Sequence, residues 1–158
     1  ILVEDELTNL GFRPEEYALL YHCNFGYPLV CEECHLELPE ARKTSPRTPF
    51  AATALGRETS FDPPVPGEEE RVFFHEDMEH RAALVNRALH TRVELTWSDT
   101  LPILAQWRSM ASGDYVCGLE PTNCYIMGRK FERENGTLPV LQPFEMVRTG
   151  LKFHFATV

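Results

Sequence analysis

Short runs of alternating apolar and polar residues, separated by turn-forming residues, constrain the fold of this chain more than any other feature. Thr91–Trp97 shows the pattern clearly, with Val93, Leu95 and Trp97 on one face and polar residues on the other. Twelve prolines and nine glycines punctuate the chain, and no segment keeps a 3.6-residue period for long. Many short strands with such spacing predict an all-β sandwich or barrel.

Eight segments carry this strand-like pattern. The predicted strands are Glu16–Phe25, Cys31–Leu38, Arg71–His75, Ala82–Leu89, Thr91–Trp97, Leu101–Trp107, Tyr115–Glu120 and Val147–Val158. The first residues, Ile1-Leu2-Val3, also have strand character. Evidence for helices is weak, and we expect at most one turn at Arg13–Glu16, where a proline occupies an early helical position.

The segment Thr44–Gly67 differs from the rest of the chain. It is rich in proline, threonine, serine and charged residues, and it has few paired apolar positions. Long loops in compact domains are usually functional or disordered. We therefore expect a long surface excursion here, within one domain, or a large part of one, that spans residues 1–158.

The charge balance limits the kinds of partner. Fifteen Lys and Arg residues against 24 Asp and Glu residues give a net charge of −9. Basic residues such as Arg42, Lys43, Arg47 and Arg57 are scattered and form no stripe, whereas nucleic-acid binding needs a local basic surface. We therefore expect no nucleic acid, and either a small neutral ligand or a protein partner.

Membrane and export signals are weak in this sequence. No apolar run approaches the roughly 18–20 residues of a membrane-spanning helix. Acidic residues follow Ile1-Leu2-Val3 at once, unlike the basic start of a signal peptide, and the absence of an initial Met suggests a fragment or a processed product. Five scattered cysteines favour a reducing compartment. We expect a cytoplasmic protein that does not bind membranes.

Two clusters raise a metal or haem hypothesis. Cys31-Glu32-Glu33-Cys34-His35 contains a C-x-x-C and matches the c-type haem attachment pattern. A structural zinc site needs four ligands, usually from two paired motifs, and the chain has no second C-x-x-C. His75 and His80 are not spaced as in the H-E-x-x-H zinc motif. We therefore expect no metal and no cofactor, and a metal- or redox-binding protein remains an alternative.

Two short motifs hold candidate acid–base residues. His22 and Asn24 are two apart at the end of an apolar run, so on a strand they share one face. Glu120 ends an apolar run immediately before Pro121, where partial desolvation raises the pKa of a carboxyl group toward the range of a general base. Taken singly, an ordinary strand histidine and an ordinary strand-end glutamate explain these patterns as well.

Taken together, the two motifs resemble those of the aldose 1-epimerases, or galactose mutarotases. His22 with Asn24-Phe25 is similar to the strand that carries the family's catalytic histidine, and Gly118–Pro121 is similar to the strand that carries its catalytic glutamate. The closer resemblance is to the DUF4432-type branch of this superfamily. It rests on Tyr21–Pro28, the Trp107 region, Gly118–Asn123 and Gly136–Leu141 with Pro143.

The resemblance implies an antiparallel β-sandwich, part of a mutarotase-like supersandwich, and a sugar isomerase that needs no cofactor. By that family's mechanism, Glu120 takes the proton of the anomeric hydroxyl and His22 protonates the ring oxygen from the opposite side of the sugar. The ring then opens, rotates about its C1–C2 bond and closes as the other anomer. The further substrate-binding residues that the resemblance implies are Asn24, His75, Asp77, Trp107 and Asn123.

The sequence also departs from the family pattern. Family members are typically much longer, and their N-terminal half, which carries a further histidine and an arginine, has no counterpart here. The chain therefore resembles a C-terminal half, whose small-molecule carbohydrate site a missing half or a homo-oligomer partner would complete. The alternative function is a non-catalytic sugar-binding or sensing module of the same fold.

Overall fold

Two five-stranded antiparallel sheets form the protein, whose residues 1–158 are all described by a computed structural model. Sheet 1 has the order β1-β12-β8-β7-β4, with β1 Leu2–Thr8, β4 Cys34–Glu37, β7 Arg81–Asn86, β8 Thr91–Trp97 and β12 Met146–Thr157. Sheet 2 has the order β3-β10-β9-β6-β5, with β3 Cys23–Gly26, β5 Lys43–Pro46, β6 Arg71–Glu76, β9 Ile103–Ser109 and β10 Val116–Thr122. A two-stranded ribbon pairs β2 Glu15–Glu16 with β11 Val140–Leu141.

The two sheets pack face to face around one main hydrophobic core. Leu84 and Leu95 from sheet 1 and Leu104 and Leu119 from sheet 2 belong to this core and are almost fully buried. Burial of such leucine side chains stabilises a fold by about 1.5–3 kcal/mol each. The prediction of an all-β antiparallel sandwich is therefore confirmed.

Strand β8 shows why the alternating pattern was informative. Val93, Leu95 and Trp97 point into the sandwich and are buried, as the sequence predicts. On the other face, the Arg92 guanidinium forms ion pairs with Glu37 and, at 2.9 Å, with Glu94. One side of sheet 1 is therefore core, and the other is a polar outer surface.

The three inner strands of sheet 2, β10, β9 and β6, are buried on both faces. Six of the seven residues of β10 are buried, and successive side chains of a strand alternate between faces. Cys117 and Leu119 point into the sandwich core, so Gly118, Glu120 and Thr122 point to the opposite face. We call this second surface the outer face of sheet 2.

Most residues of the segment Thr44–Gly67, for which the sequence predicts a surface excursion, are exposed, but a few buried residues anchor the segment to the sandwich. It contains part of β5 and a short helix, α1, at Pro49–Ala52, and Phe61 is buried in the main core. The buried Arg108 guanidinium holds it by donating to three backbone carbonyls within Arg57–Ser60. Backbone acceptors leave no pattern of side chains, so this packing could not be predicted from the sequence.

Other boundaries also differ from the predictions. The helical turn predicted at Arg13–Glu16 does not form, and Glu15–Glu16 is instead strand β2. A helix that was not predicted, α2, spans Arg129–Asn135 and ends at Gly136 in a left-handed conformation. The strand predicted from Cys31 begins only at Cys34, because the preceding residues form a turn. Neither helix is long and apolar enough to cross a membrane.

Candidate functional site

The candidate site depends on the register between β10 and the segment that leads into β3. Asn24 lies directly opposite Gly118 in this antiparallel pair. The same register places His22 opposite Glu120, and a bridge from Leu20 to the end of β10 shows that the register holds beyond them. Directly opposed residues of adjacent strands share a face and have neighbouring Cβ atoms. His22 and Glu120 therefore meet on the outer face of sheet 2.

The side chains of His22 and Glu120 are in direct contact. The imidazole Nε2 lies 2.9 Å from Glu120 Oε1, and the two side chains are 49% and 3% exposed, respectively. The pair is therefore half open to solvent from the histidine side. This contact corrects the expectation of an acid and a base on opposite sides of a sugar, because adjacent strands leave no room for a ring between them.

Space for the Glu120 carboxylate is provided by small neighbours. A Cβ atom at Gly118 would lie 2.5 Å from Glu120 Oε1 and 3.3 Å from Asn24 Oδ1. The first distance is shorter than any tolerable contact, so only glycine allows the carboxylate its observed position. On the other side, β9 places Ala105 opposite Glu120. The carboxylate thus lies in a niche formed by two minimal side chains.

Burial makes Glu120 electrostatically unusual. Desolvation raises the pKa of its carboxyl group above the ordinary value, the negative charge of Glu70 adds to the rise, and His22 opposes it. Glu120 Oε1 also lacks a well-directed hydrogen bond, although His22 is near. A carboxyl group of raised pKa with an open lone pair is the arrangement that a general base requires.

Trp107 forms one wall of the site. It lies opposite Gly118 on β9, and its ring meets the His22 imidazole edge-on, with centroids 5.8 Å apart. The indole Nε1–H donates to Glu70 Oε2 at 2.7 Å. An aromatic ring beside the acid–base pair offers an apolar surface for the C–H faces of a ligand.

His75 does not belong to this site, which corrects its assignment as a substrate-binding residue. It is fully buried on the sandwich side of β6, the face opposite to that of Glu120. Its ring bonds to Thr44 Oγ1 and to Gln106 Oε1, each at 3.0 Å. Burial lowers the pKa of this histidine to about 4, so it is a neutral core residue at neutral pH.

Asp77 and Asn123 lie together in a cleft of about 440 Å³ at the end of the same sheet. The cleft includes Ile103, which lies on the outer face of sheet 2. Ile103 is two residues before Ala105, the residue of β9 directly opposite Glu120. Asn123 Oδ1 accepts the Leu19 N–H at 2.8 Å, while its buried Nδ2 has no partner. The cleft is therefore roughly 7 Å from the His22–Glu120 pair along the strands, at about 3.3 Å per residue.

Three acidic residues near this face were missed in the sequence. Glu70 bonds Trp107, and Glu76 accepts a short hydrogen bond from the Tyr125 hydroxyl in the cleft. Buried Glu132 accepts backbone N–H bonds from the loop after β10 and so shapes the cleft wall. Glu70 and Glu76 both lie an even number of residues from the buried Phe74, which is the signal that could have placed them on its face.

The residues of this chain match one protein family along almost their whole length. A family model described as a domain of unknown function, DUF4432, matches residues 1–155. The chain belongs to the DUF4432 family. No curated protein matches it in sequence.

Solved structures share the fold of this DUF4432 chain. A candidate aldose 1-epimerase from Klebsiella pneumoniae is 27% identical, with a TM-score of 0.91 over 99% of this chain and 42% of its own. A galactose mutarotase-like protein from Clostridium acetobutylicum is 16% identical, with a TM-score of 0.67 over 99% of this chain and 52% of its own. A candidate aldose 1-epimerase from Escherichia coli K12 is 14% identical, with a TM-score of 0.68 over 99% and 56%.

These similarities establish a galactose mutarotase-like β-sandwich. The resemblance of the sequence to the DUF4432 branch is confirmed by the family match. The chain spans about half the length of the solved structures that it matches.

The cysteine and histidine clusters of the DUF4432 chain do not combine into a metal site. Cys34 is buried, which raises the pKa of its thiol to about 12, and Cys31 lies near Glu33 in a turn. His80 bonds Asp99 at 3.0 Å, away from the core position of His75. Nowhere do three His, Cys, Asp or Glu side chains form a group that could hold a metal ion.

We expect Gly118→Ala to displace the Glu120 carboxylate, because the new methyl group occupies its position. The displacement should change the imidazole NMR resonances of His22. Gly26→Ala is the matched control, since a Cβ there lies at an ordinary 3.5 Å from the Tyr115 carbonyl oxygen. Equal spectra for the two variants would contradict this account of the niche.

We also expect Glu120→Gln to stabilise the fold at neutral pH. The folded-state pKa of this carboxyl group is raised, so its contribution to stability is present at low pH and is lost as the pH rises through that pKa. Glutamine removes the buried charge, and the advantage should vanish below the ordinary carboxyl value of 4.5. Urea unfolding across this pH range measures the effect.

The exposed Glu69→Gln serves as the control for that experiment, because Glu69 lies outside the site. It should show the same stability as the unaltered protein at every pH. A Glu120→Gln variant that is less stable at neutral pH would show that the contact with His22 outweighs the cost of burial.

Proposed function

We propose that this chain carries the acid–base pair of an aldose 1-epimerase-like isomerase, which interconverts the anomers of a small neutral sugar. The observation that carries the proposal is the 2.9 Å contact between His22 and the buried carboxylate of Glu120. The raised pKa of that carboxyl group and the aromatic wall of Trp107 support it. So does the fold shared with candidate aldose 1-epimerases.

The pair performs two matched proton transfers. Glu120 removes the proton of the anomeric hydroxyl, and protonated His22 delivers a proton to the ring oxygen as the C1–O bond breaks. Rotation about the C1–C2 bond presents the other face of the aldehyde, and closure reverses both transfers. Because the two groups are adjacent, the sugar lies over the pair rather than between its members.

The charge of the site favours a neutral sugar. Glu70, Glu120, Glu76 and Asp77 all lie on or beside the outer face of sheet 2. The Glu120 carboxylate forms an ion pair only with His22, and Lys43 Nζ lies 3.6 Å from Glu76. A phosphate or carboxylate group on the ligand would meet like charges in a partly desolvated site, where repulsion is strong.

The cleft beside the pair suits the distant hydroxyl groups of such a sugar. Asn123 and Asp77 line the cleft with polar side chains, and the cleft lies roughly 7 Å from the pair along the strands. The solved relatives are longer than this chain, so we infer that residues outside it complete the site and select the sugar.

We expect the complete natural protein to accelerate anomer exchange of an aldose, measured by proton NMR exchange spectroscopy over a panel of sugars. Glu120→Gln and His22→Gln should each reduce the rate by about 10²–10⁴-fold, the usual contribution of a general acid or base. Glu69→Gln is the control and should retain full activity. Saturable sugar binding with exchange at the uncatalysed rate would support the non-catalytic module instead.

We further expect neutral aldoses to be exchanged faster than their phosphorylated or acidic forms. Repulsion from the acidic face should raise KM for hexose phosphates and leave kcat for bound neutral sugars unchanged. Competition between glucose or galactose and the corresponding 6-phosphate, at low and high salt, measures the preference. Equal kcat/KM for both classes would show that cations outside this chain balance the charge.

A further inference from the structure

Glu70 is a charged group on the functional face that the proton transfers do not use. It precedes β6 and lies two residues before the buried Val72, so both side chains are directed to the outer face of sheet 2. Its Oε2 atom accepts the indole N–H of Trp107 at 2.7 Å. The ring of Trp107 in turn meets the His22 imidazole edge-on. A continuous series of contacts therefore joins Glu70 to the acid–base pair.

The other packing contacts of the Trp107 indole on this face are apolar, because the ring lies against the cluster of Val72, Phe74, Ile103 and Ala105. Its cross-strand neighbour on one side is Gly118, which presents no side chain, and its neighbour on the other side is Val72. Glycine is required at the first position by the Glu120 carboxylate, so the space beside the indole cannot be filled from β10. The hydrogen bond to Glu70 is therefore the directional contact that fixes the ring.

We propose that Glu70 is a positioning residue, which holds the indole of Trp107 so that its edge keeps His22 against Glu120. The catalytic consequence of this role rests on the proposed function, whereas the contacts themselves do not.

Glu70 also contributes to the electrostatics of Glu120. The charged groups that act on this carboxylate are His22 from the segment before β3 and Glu70 from the segment before β6. The thiols of Cys23 and Cys117 lie near it on the core side of the sheet. Burial raises the pKa values of these thiols to about 11 and 12, so both are neutral at neutral pH. Glu70 is therefore the anion whose removal lowers the pKa of Glu120.

Two substitutions separate position from charge in the complete natural protein. Glu70→Gln keeps an oxygen acceptor for the indole N–H and removes the charge, whereas Glu70→Ala removes both. Both variants should move the acidic limb of the kcat/KM profile to lower pH. Only Glu70→Ala should also reduce the plateau of kcat/KM, by about fivefold, as expected for one lost hydrogen bond.

A double-mutant cycle tests whether the effect passes through the indole. In a Trp107→Phe background the donor is absent, so Glu70→Ala should cause no further loss of plateau activity. Glu69→Ala is the control for removal of a neighbouring carboxylate. Full activity of Glu70→Ala, or losses that multiply in the double variant, would overturn the proposal.

An NMR measurement separates this proposal from the proposed function. The indole N–H signal of Trp107 is assigned by its absence in Trp107→Phe, and that of Trp97 is a reference because its N–H is bonded to the Leu101 carbonyl at 3.0 Å. Glu70→Ala should shift only the Trp107 signal, speed its exchange with water and alter the His22 resonances. If these changes occur without anomer exchange in the unaltered protein, the positioning role stands and the proposed function fails. Unchanged signals would overturn the positioning role even in an active enzyme.

Discussion

The register between β10 and the segment before β3 is the constraint on which the rest of the site depends. It sets Asn24 opposite Gly118 and, two residues on, His22 opposite Glu120. A shift by one residue would turn every β10 side chain to the other face and place Glu120 inside the sandwich. The leucine core prevents that shift, because Leu119 is buried between the sheets only in the observed register. The same apolar packing that stabilises the fold therefore also fixes the geometry of the polar pair.

The buried Glu120 carboxylate shows how this region differs from an ordinary strand. An ionised group without a directed partner destabilises a folded state, so its presence among small neighbours is costly and calls for a functional explanation. Gly118 and Ala105 enclose it without filling its space. Larger apolar side chains at these positions would pack the sheet better. The local arrangement thus accommodates a reactive carboxylate where tight packing would have been more stable.

Much of the fold could be predicted from the sequence, because the side chains of a strand alternate between buried apolar and exposed polar residues. Thr91–Trp97 is an example, because the residues of its apolar face are buried as predicted. Interactions made by backbone atoms escaped prediction, as at Arg57–Ser60, which a buried arginine holds by its carbonyl groups. The face of the sheet to which a single side chain points could not be predicted either. His75 was predicted to bind the substrate because of its residue type and place in the sequence. A shift of one position along β6 would turn it from the core to the outer face of sheet 2.

The position of Glu120 on the inner strand β10 has a further consequence. Hydrogen-bonded neighbours on both sides hold the backbone of β10, so the Cα positions of the site are fixed before any ligand arrives. Adjustment is then confined to the exposed members, the half-open imidazole of His22 and the indole of Trp107. In the proposed function, these rings are the groups that move when a sugar binds over the pair. Their mutual contact, and the hydrogen bond of the indole to Glu70, would then keep His22 beside Glu120 while the sugar ring opens and closes.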